Sequence, residues 1–178
     1  GDSSLAVGAK IYDLILKSRM GSAQVKQMSA SVSTPVTEID TTKVIPLDCK
    51  FALEEAKVII GDTIRAYSQK TEASVGVRPS KMNVKKPVFD LYLRTDSLFM
   101  KANETRIGMD LAGFKISTFQ GRDSLWHPKG SIGFNRLFFS PPEFGLPIRM
   151  QKTEVAFERN TVALRQAKVR IGHSDITA

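Results

Sequence analysis

The residues that could do chemistry in this sequence are few and widely spaced. His127 and His173 are the only histidines, and neither lies two to five residues from a second histidine or a cysteine, the spacing that metal sites use. Cys49 is the single cysteine, which excludes an internal disulfide. The sequence therefore predicts no metal site and no cofactor.

His173, Ser174 and Asp175 supply the residue types of a nucleophilic triad. Neighbouring residues in a strand point to opposite faces of a sheet, so these three side chains cannot form the chain of hydrogen bonds that a triad needs. The glycine-rich phosphate loops of nucleotide-binding proteins are also absent from the sequence. We therefore predict that the protein is not an enzyme and has no catalytic residues.

The elements that must position the remaining residues are strands, because short alternation of apolar and polar residues dominates the chain. In the segment PVFDLYLR, Phe89, Leu91 and Leu93 share one face, and Asp90 and Arg94 share the other. Such alternation is typical of a half-buried strand.

Residues 51–68 allow a second interpretation. Leu53 and Ala56 begin a helical spacing of apolar residues, and the segment FALEEAK is rich in good helix formers. Gly61 interrupts that pattern, and the β-branched run before it favours a strand. We expect strands here.

A repeat of about forty residues organises the strands, which is the kind of period that marks repeat proteins. Its marker is an apolar residue, two or three polar residues and then renewed apolar alternation. The marker occurs at Ile11, Leu53, Leu93, Phe134 and Leu164. We predict an all-β fold in one domain over residues 1–178: an elongated, curved, mostly antiparallel sheet of about four repeats, with at most one short helix.

The charge of the chain indicates an anionic partner. Lys and Arg number 26 against 18 Asp and Glu, giving a formal net charge of +8, which favours phospholipid headgroups or nucleic acid. The basic residues are spread along the whole chain, and the aromatic-plus-basic signatures of nucleic-acid-binding modules are absent. We therefore expect no nucleic acid partner.

The segment FFSPPEFGLPI, residues 138–148, is the most unusual surface candidate. Its three prolines cannot donate hydrogen bonds to a sheet, so it forms an edge or an excursion. Phe144 and Leu146 then either stand exposed as a contact for lipid or a partner, or fold back onto the core. We expect Phe144 to fold back, because isolated apolar loop residues usually find cover, and we expect the same of Trp126.

Several phrases resemble one family. The closing LRQAKVRIGHSDITA, the early KIYDLILKSRMGSAQVKQMSASV and GDTIRAYSQ between them are similar to the repeated units of AsmA/TamB-like bacterial envelope proteins. The resemblance implies a repeating-β-groove protein, anchored in the inner membrane by a segment absent from this chain, with a long periplasmic part. It also implies a role in phospholipid movement between membranes and in outer-membrane homeostasis, without catalytic residues.

Two further features agree with a piece of a longer protein. The chain starts with Gly1 in place of a methionine, and no run approaches the ~20 apolar residues of a membrane span. We expect an excised segment of a longer periplasmic region, whose partners are phospholipid or another envelope lipid and the neighbouring β repeats of the same protein.

The function that we expect is lipid handling in envelope biogenesis, with the apolar inner face of the sheet as the working surface and the positive charge on the convex side and rims. A structural or protein-binding scaffold is the alternative, and an enzyme is the third choice. The lipid-contact candidates are Phe89, Leu91, Leu93, Leu98, Met100, Ile107, Met109, Leu111, Ile148 and Met150.

Overall fold

The structure is a computed structural model that describes residues 4–35, 42–121, 123–165 and 167–177, without the side chains of Asp175 and Thr177. Gly1 and the carboxylate of the His173–Asp175 triad candidate thus lie outside the described part. Thirteen strand segments occur in the described ranges. They are β1 (Ser4–Ser18), β2 (Gly21–Pro35), β3 (Leu47–Ile60), β4 (Ile64–Pro79), β5 (Pro87–Ala102), β6 (Thr105–Gln120), β7 (Trp126–Phe134), β8 (Arg136–Ser140), β9 (Ile148–Met150), β10 (Thr153–Glu158), β11 (Thr161–Arg165), β12 (Lys168–Ile171) and β13 (Ser174–Thr177).

All of these segments belong to one antiparallel sheet. β7 and β8 pair with β6 in one continuous register, so together they form one strand of the sheet. In the same way β10 and β9 form the next strand, and β11 and β12 form the strand after that. The sheet is therefore an open meander of ten strands in which each strand pairs with its neighbours along the chain. The predicted all-β, curved, mostly antiparallel fold is confirmed.

Residues 51–68 form the end of β3, a turn and the start of β4, so the strand interpretation is correct there. The one helix in the described part of the chain is a 3-10 turn over Pro142–Phe144. Each repeat predicted from the sequence corresponds to one hairpin, because a hairpin of two long strands and its connections spans about forty residues at this strand length.

A row of unpaired positions crosses the sheet, and we call this row the crease. Pairing is lost between Asp13 and Lys26, and again between Lys26 and Glu55, whereas the pairs on either side are regular. Corresponding positions in the later strands are also unpaired. The crease divides the sheet into an upper half, which contains residues 4–12, and a lower half, which contains residues 14–18.

The crease has a cause in the sequence, the spacing of apolar residues. Within each half these residues alternate with polar ones, but across the crease they lie three positions apart, as Ile11 and Leu14 do. In a regular strand, residues three apart point to opposite faces. Left-handed backbone at Asp13, Glu55 and Leu111, with φ of 51°, 49° and 47°, interrupts the alternation and returns the apolar residues to one face.

A cluster of hydroxyl groups shows that the two halves present their apolar residues on the same side. Ser68 lies in the lower half of β4 and Thr71 in the upper half, and their hydroxyl oxygens are 2.7 Å apart. The Thr95 hydroxyl of β5 lies 3.1 Å from the first and 3.2 Å from the second. The three groups satisfy one another, so Thr95 is buried without an unpaired hydroxyl.

The sheet is a single layer with almost no enclosed core. The chain of 19.7 kDa exposes 12686 Å², whereas a compact protein of that mass exposes about 8,600 Å². Val88, Pro141 and Ala167 are the buried apolar residues of the described part, and no large side chain there is fully buried. Both faces of the sheet are therefore surfaces.

Candidate functional site

One face of the sheet is apolar from strand to strand, and we call it the apolar face. In the upper half a directly paired row crosses six strands, and in the lower half a second row crosses nine strands. The upper row is Val7, Val32, Cys49, Val75, Leu91 and Ile116. The lower row is Leu14, Val25, Ala56, Ser68, Leu98, Met109, Leu137, Met150 and Val169. Ser68 is the one polar member of the two rows.

Nine of the ten lipid-contact candidates lie on the apolar face. Phe89, Leu91 and Leu93 occupy alternate positions of the upper half, and the other six occupy alternate positions of the lower half. Leu111 differs, because it lies at the crease with a left-handed backbone and is 40 % exposed. Alternation from Met109 places Leu111 with the apolar residues, but the crease shifts the apolar position to Ala112.

The apolar face is uncovered in the described part of the protein. Val7 is 70 % exposed at the edge of the sheet, and even Val75, on an interior strand, is 44 % exposed. Cys49 is half-buried between Val32 and Val75. A surface of this kind excludes water only when another molecule or segment lies over it.

The opposite face is polar, and in its upper half the charges neutralise one another. Five ion pairs lie there or at its border: Lys50–Asp48 at 3.1 Å, Lys70–Glu72 at 2.7 Å, Arg78–Asp90 at 2.6 Å, Arg94–Asp96 at 3.1 Å and Lys129–Glu158 at 3.0 Å. The hydrogen bond from Lys70 to Glu72 raises the pKa of that lysine. The described depressions of the surface are lined chiefly by residues of this polar face, so the depressions and the apolar side chains lie on opposite faces.

The lower half of the polar face is basic. Its strands carry nine Lys or Arg side chains against one described carboxylate, that of Asp110, which pairs with Arg136 at 2.6 Å. The nine are Lys17, Lys57, Arg65, Lys101, Arg106, Arg136, Arg149, Lys168 and Arg170. Among the described side chains, positive charge is thus concentrated on one half of one face.

Two exposed rings and one half-buried ring lie among these cations. Tyr67, Phe99 and Phe138 fall in one register row, with Gly108 between the two phenylalanines. They line a depression of about 430 Å³ together with Arg136 and other residues of the basic region. The guanidinium of Arg149 lies 5.9 Å from the centroid of the Phe138 ring. Sequence reasoning missed this grouping, because the residues come from five strands and meet only through the register.

The loop over residues 141–147 does not behave as expected. Phe144 is 68 % exposed and Leu146 is 51 % exposed, so the expectation that Phe144 folds back onto a core is wrong. The physical reason is that a single-layer sheet has no core at this end to receive the ring. Trp126 is 48 % exposed as well, although its ring lies 5.6 Å from that of Phe89.

Of the two histidines, one pairs with a carboxylate and the other lies in a turn. His127 Nε2 lies 3.0 Å from both carboxylate oxygens of Asp123, and this hydrogen bond lowers the pKa of Asp123. His173 is exposed in the turn between β12 and β13. Within the described ranges no group of three or more metal-ligating side chains converges.

Comparison with protein-family models, with curated proteins and with solved structures finds no significant match for this chain. Among the described residues, no helix is long and apolar enough to cross a membrane.

Proposed function

We propose that this chain is a non-enzymatic, lipid-handling segment of a cell-envelope biogenesis protein, with the apolar face as its working surface. The observation that carries the proposal is the continuity of that face, which crosses the strands of both halves and is exposed or half-buried with no covering layer in the described part. Exposed apolar area of this extent is unfavourable in water. Acyl chains are suitable occupants, because they are apolar, flexible and need no specific hydrogen bonds.

The sequence resemblance supports a cellular setting for this function. The phrases similar to AsmA/TamB-like proteins favour a periplasmic segment that is tethered to the inner membrane by another part of the protein. Neighbouring β repeats of the same protein would extend the apolar face, and phospholipid or another envelope lipid would be the ligand.

The experiment compares two adjacent positions of β5 that point to opposite faces. Leu91→Asp places a charge on the apolar face, whereas the control Tyr92→Asp places it on the polar face. Met109→Asp repeats the test in the lower half. We expect native mass spectrometry to find bound phospholipid on the wild type and on Tyr92→Asp, and to find it strongly reduced on the two apolar-face variants.

The single cysteine supplies an independent readout. Because Cys49 lies in the same row as Leu91, bound lipid should slow its labelling by a thiol reagent. Circular dichroism checks that the variants fold. We expect them to fold, because a half-exposed leucine tolerates a charge better than a side chain in a closed core does. Absence of lipid on the wild type, or unfolding of Leu91→Asp and Met109→Asp, would refute the proposal.

A second candidate function, a protein-binding scaffold, is favoured by the edge of the sheet. β1 offers 15 residues of backbone with one unpaired side in the described structure, and nearly all of its side chains are exposed. Long open edges recruit further strands. The two functions are separable, because lipid uptake depends on Leu91 and edge pairing depends on β1.

A further inference from the structure

Three cations lie side by side on the lower half of the polar face, and we call them the cation row. Arg65 pairs directly with Lys101, and Lys101 pairs directly with Arg106. Adjacent strands are about 4.8 Å apart, and like charges directly opposite each other destabilise a sheet. None of the three has a carboxylate within ion-pair distance in the described structure. An anionic ligand would neutralise the row.

The cation row lies near the end of the sheet that carries the exposed apolar loop. The turn after Lys101, at residues 103–104, and the loop over residues 141–147 both leave the lower half, and we call this end the lower rim. Leu146 packs against the β12–β13 turn, where a Cβ on Gly172 would come within 3.2 Å of its side chain. Phe144, the one aromatic residue of this loop, is mostly exposed.

The rings between the cations complete the arrangement. Tyr67 is 41 % exposed and Phe99 is 44 % exposed, and each lies two residues along its strand from the cation row, on the same face. Tyrosine and tryptophan are enriched at the headgroup layer of membranes, and clusters of Lys and Arg are attracted to anionic headgroups there.

We propose that the lower rim docks on membranes that contain anionic phospholipid. The cation row contacts the headgroup phosphates, and Phe144 and Leu146 enter the apolar layer beneath them. This inference rests on the proposed lipid-handling function and names the end of the sheet that meets the membrane. A single-stranded nucleic acid would also use cations and rings, but it gives no role to the exposed apolar side chains of the loop.

The test is co-sedimentation with vesicles of phosphatidylcholine alone and of an equal mixture with phosphatidylglycerol. The combined variant Arg65→Gln, Lys101→Gln, Arg106→Gln should bind the anionic vesicles on the order of a hundredfold more weakly, since each cation near such a surface contributes about fivefold. The variant Phe144→Ser, Leu146→Ser should bind about tenfold more weakly. The row variant should leave the weak binding to phosphatidylcholine unchanged, whereas the loop variant should weaken that binding as well, because apolar insertion does not depend on headgroup charge.

The charge-matched control is Lys10→Gln, Lys115→Gln, Arg165→Gln, three cations of the upper half of the polar face. It should bind as the wild type does. Equal losses in the control and in the row variant would show that net charge alone acts, and would overturn the proposal. A competition experiment could also overturn the proposal. It would do so if a single-stranded oligonucleotide displaced the wild type from vesicles and bound the variant Phe144→Ser, Leu146→Ser as tightly as it bound the wild type.

The result of the vesicle test can be distinguished from the result of the lipid-binding test of the proposed function. Loading from detergent micelles should still give the row variant a normal amount of bound lipid, because its apolar face is intact. Conversely, Leu91→Asp should lose bound lipid and still sediment with anionic vesicles. If the wild type binds lipid but does not bind anionic vesicles, the proposed docking surface is refuted and the proposed lipid-handling function is not.

Discussion

At the scale of single residues, Asp90 is the carboxylate with the most specific partners on the polar face. Arg78 Nε donates to its Oδ2 at 2.6 Å, and the Ser117 hydroxyl donates to its Oδ1. Partial burial pushes the pKa of Asp90 up, but the hydrogen bonds from Arg78 and Ser117 outweigh burial and hold it below its ordinary value of 3.8. Asp90 therefore joins β4, β5 and β6.

This geometry predicts a stability that depends on pH. A carboxylate whose pKa is depressed by folding stabilises the protein above its unfolded pKa and loses that contribution as the pH falls through its folded pKa. Asp90→Asn should lower the free energy of unfolding at neutral pH by about 1 kcal/mol, a small value because solvent screens a half-exposed pair. Urea unfolding at neutral pH and at about pH 3 measures the difference, which should shrink in acid.

The control for Asp90 is Asp62→Asn, a substitution in the exposed turn between β3 and β4. It should leave the free energy of unfolding unchanged at both pH values. A difference between wild type and Asp90→Asn that stays constant with pH would contradict the assigned role.

Residue roles could be predicted from the sequence only where they depend on local alternation. The shared face of Phe89, Leu91 and Leu93 follows from a period of two and needs no knowledge of other strands. The cation row does not follow in this way. Arg65 and Lys101 are 36 positions apart in the sequence, and only the register of β4 on β5 brings them together.

At the scale of elements, the crease explains the repeat marker of the sequence. The marker combines an apolar residue, a polar interval and renewed alternation, which is what a strand needs to cross the crease. It recurs about every forty residues because this form of the marker lies on alternate strands, as at Ile11 in β1 and Leu53 in β3. The strands between them cross the same crease, for example from Val25 to Met28 in β2. The period was therefore predictable, but its meaning required the register.

Leu111 gives the crease a test. A leucine with φ of 47° is strained, and asparagine tolerates a left-handed backbone better than leucine or any β-branched residue does. Leu111→Asn should be neutral or stabilising by about 0.5 kcal/mol, whereas Leu111→Val should be destabilising by about 1 kcal/mol or more. Urea unfolding measures both.

The matched comparison is Ile132, which is 52 % exposed in β7 and has no left-handed backbone. There the order should reverse, because valine suits a strand and asparagine does not. If asparagine were the worse substitution at both positions, the crease would not depend on left-handed backbone at Leu111.

At the scale of the whole molecule, the fold separates three surfaces that a compact protein would combine. The apolar face, the neutralised upper half of the polar face and the basic lower half occupy different regions of one layer. Alternation along strands creates the difference between faces, and the crease marks the boundary between the two halves. Alternation made the sheet and its faces predictable, whereas the uneven charge was not, because basic residues are spread evenly along the sequence.

The last prediction concerns the edge of the sheet. β1 has a long unpaired side, and Leu5, Val7 and Ile11 stand exposed along it. An edge of this length with few charges pairs readily with another strand, so the wild type should self-associate as its concentration rises. Sedimentation velocity over a range of concentrations measures the association.

Two substitutions by lysine separate edge pairing from stacking of apolar faces. Val7→Lys puts a charge on the edge strand, and a lysine there opposes the addition of a further strand. Val75→Lys puts the same charge on the apolar face of the interior strand β4, where it opposes face-to-face stacking and leaves the edge intact. We expect Val7→Lys alone to abolish association. Equal suppression by both variants would assign association to the apolar face, and a wild type that stays monomeric at high concentration would count against a scaffold role for β1.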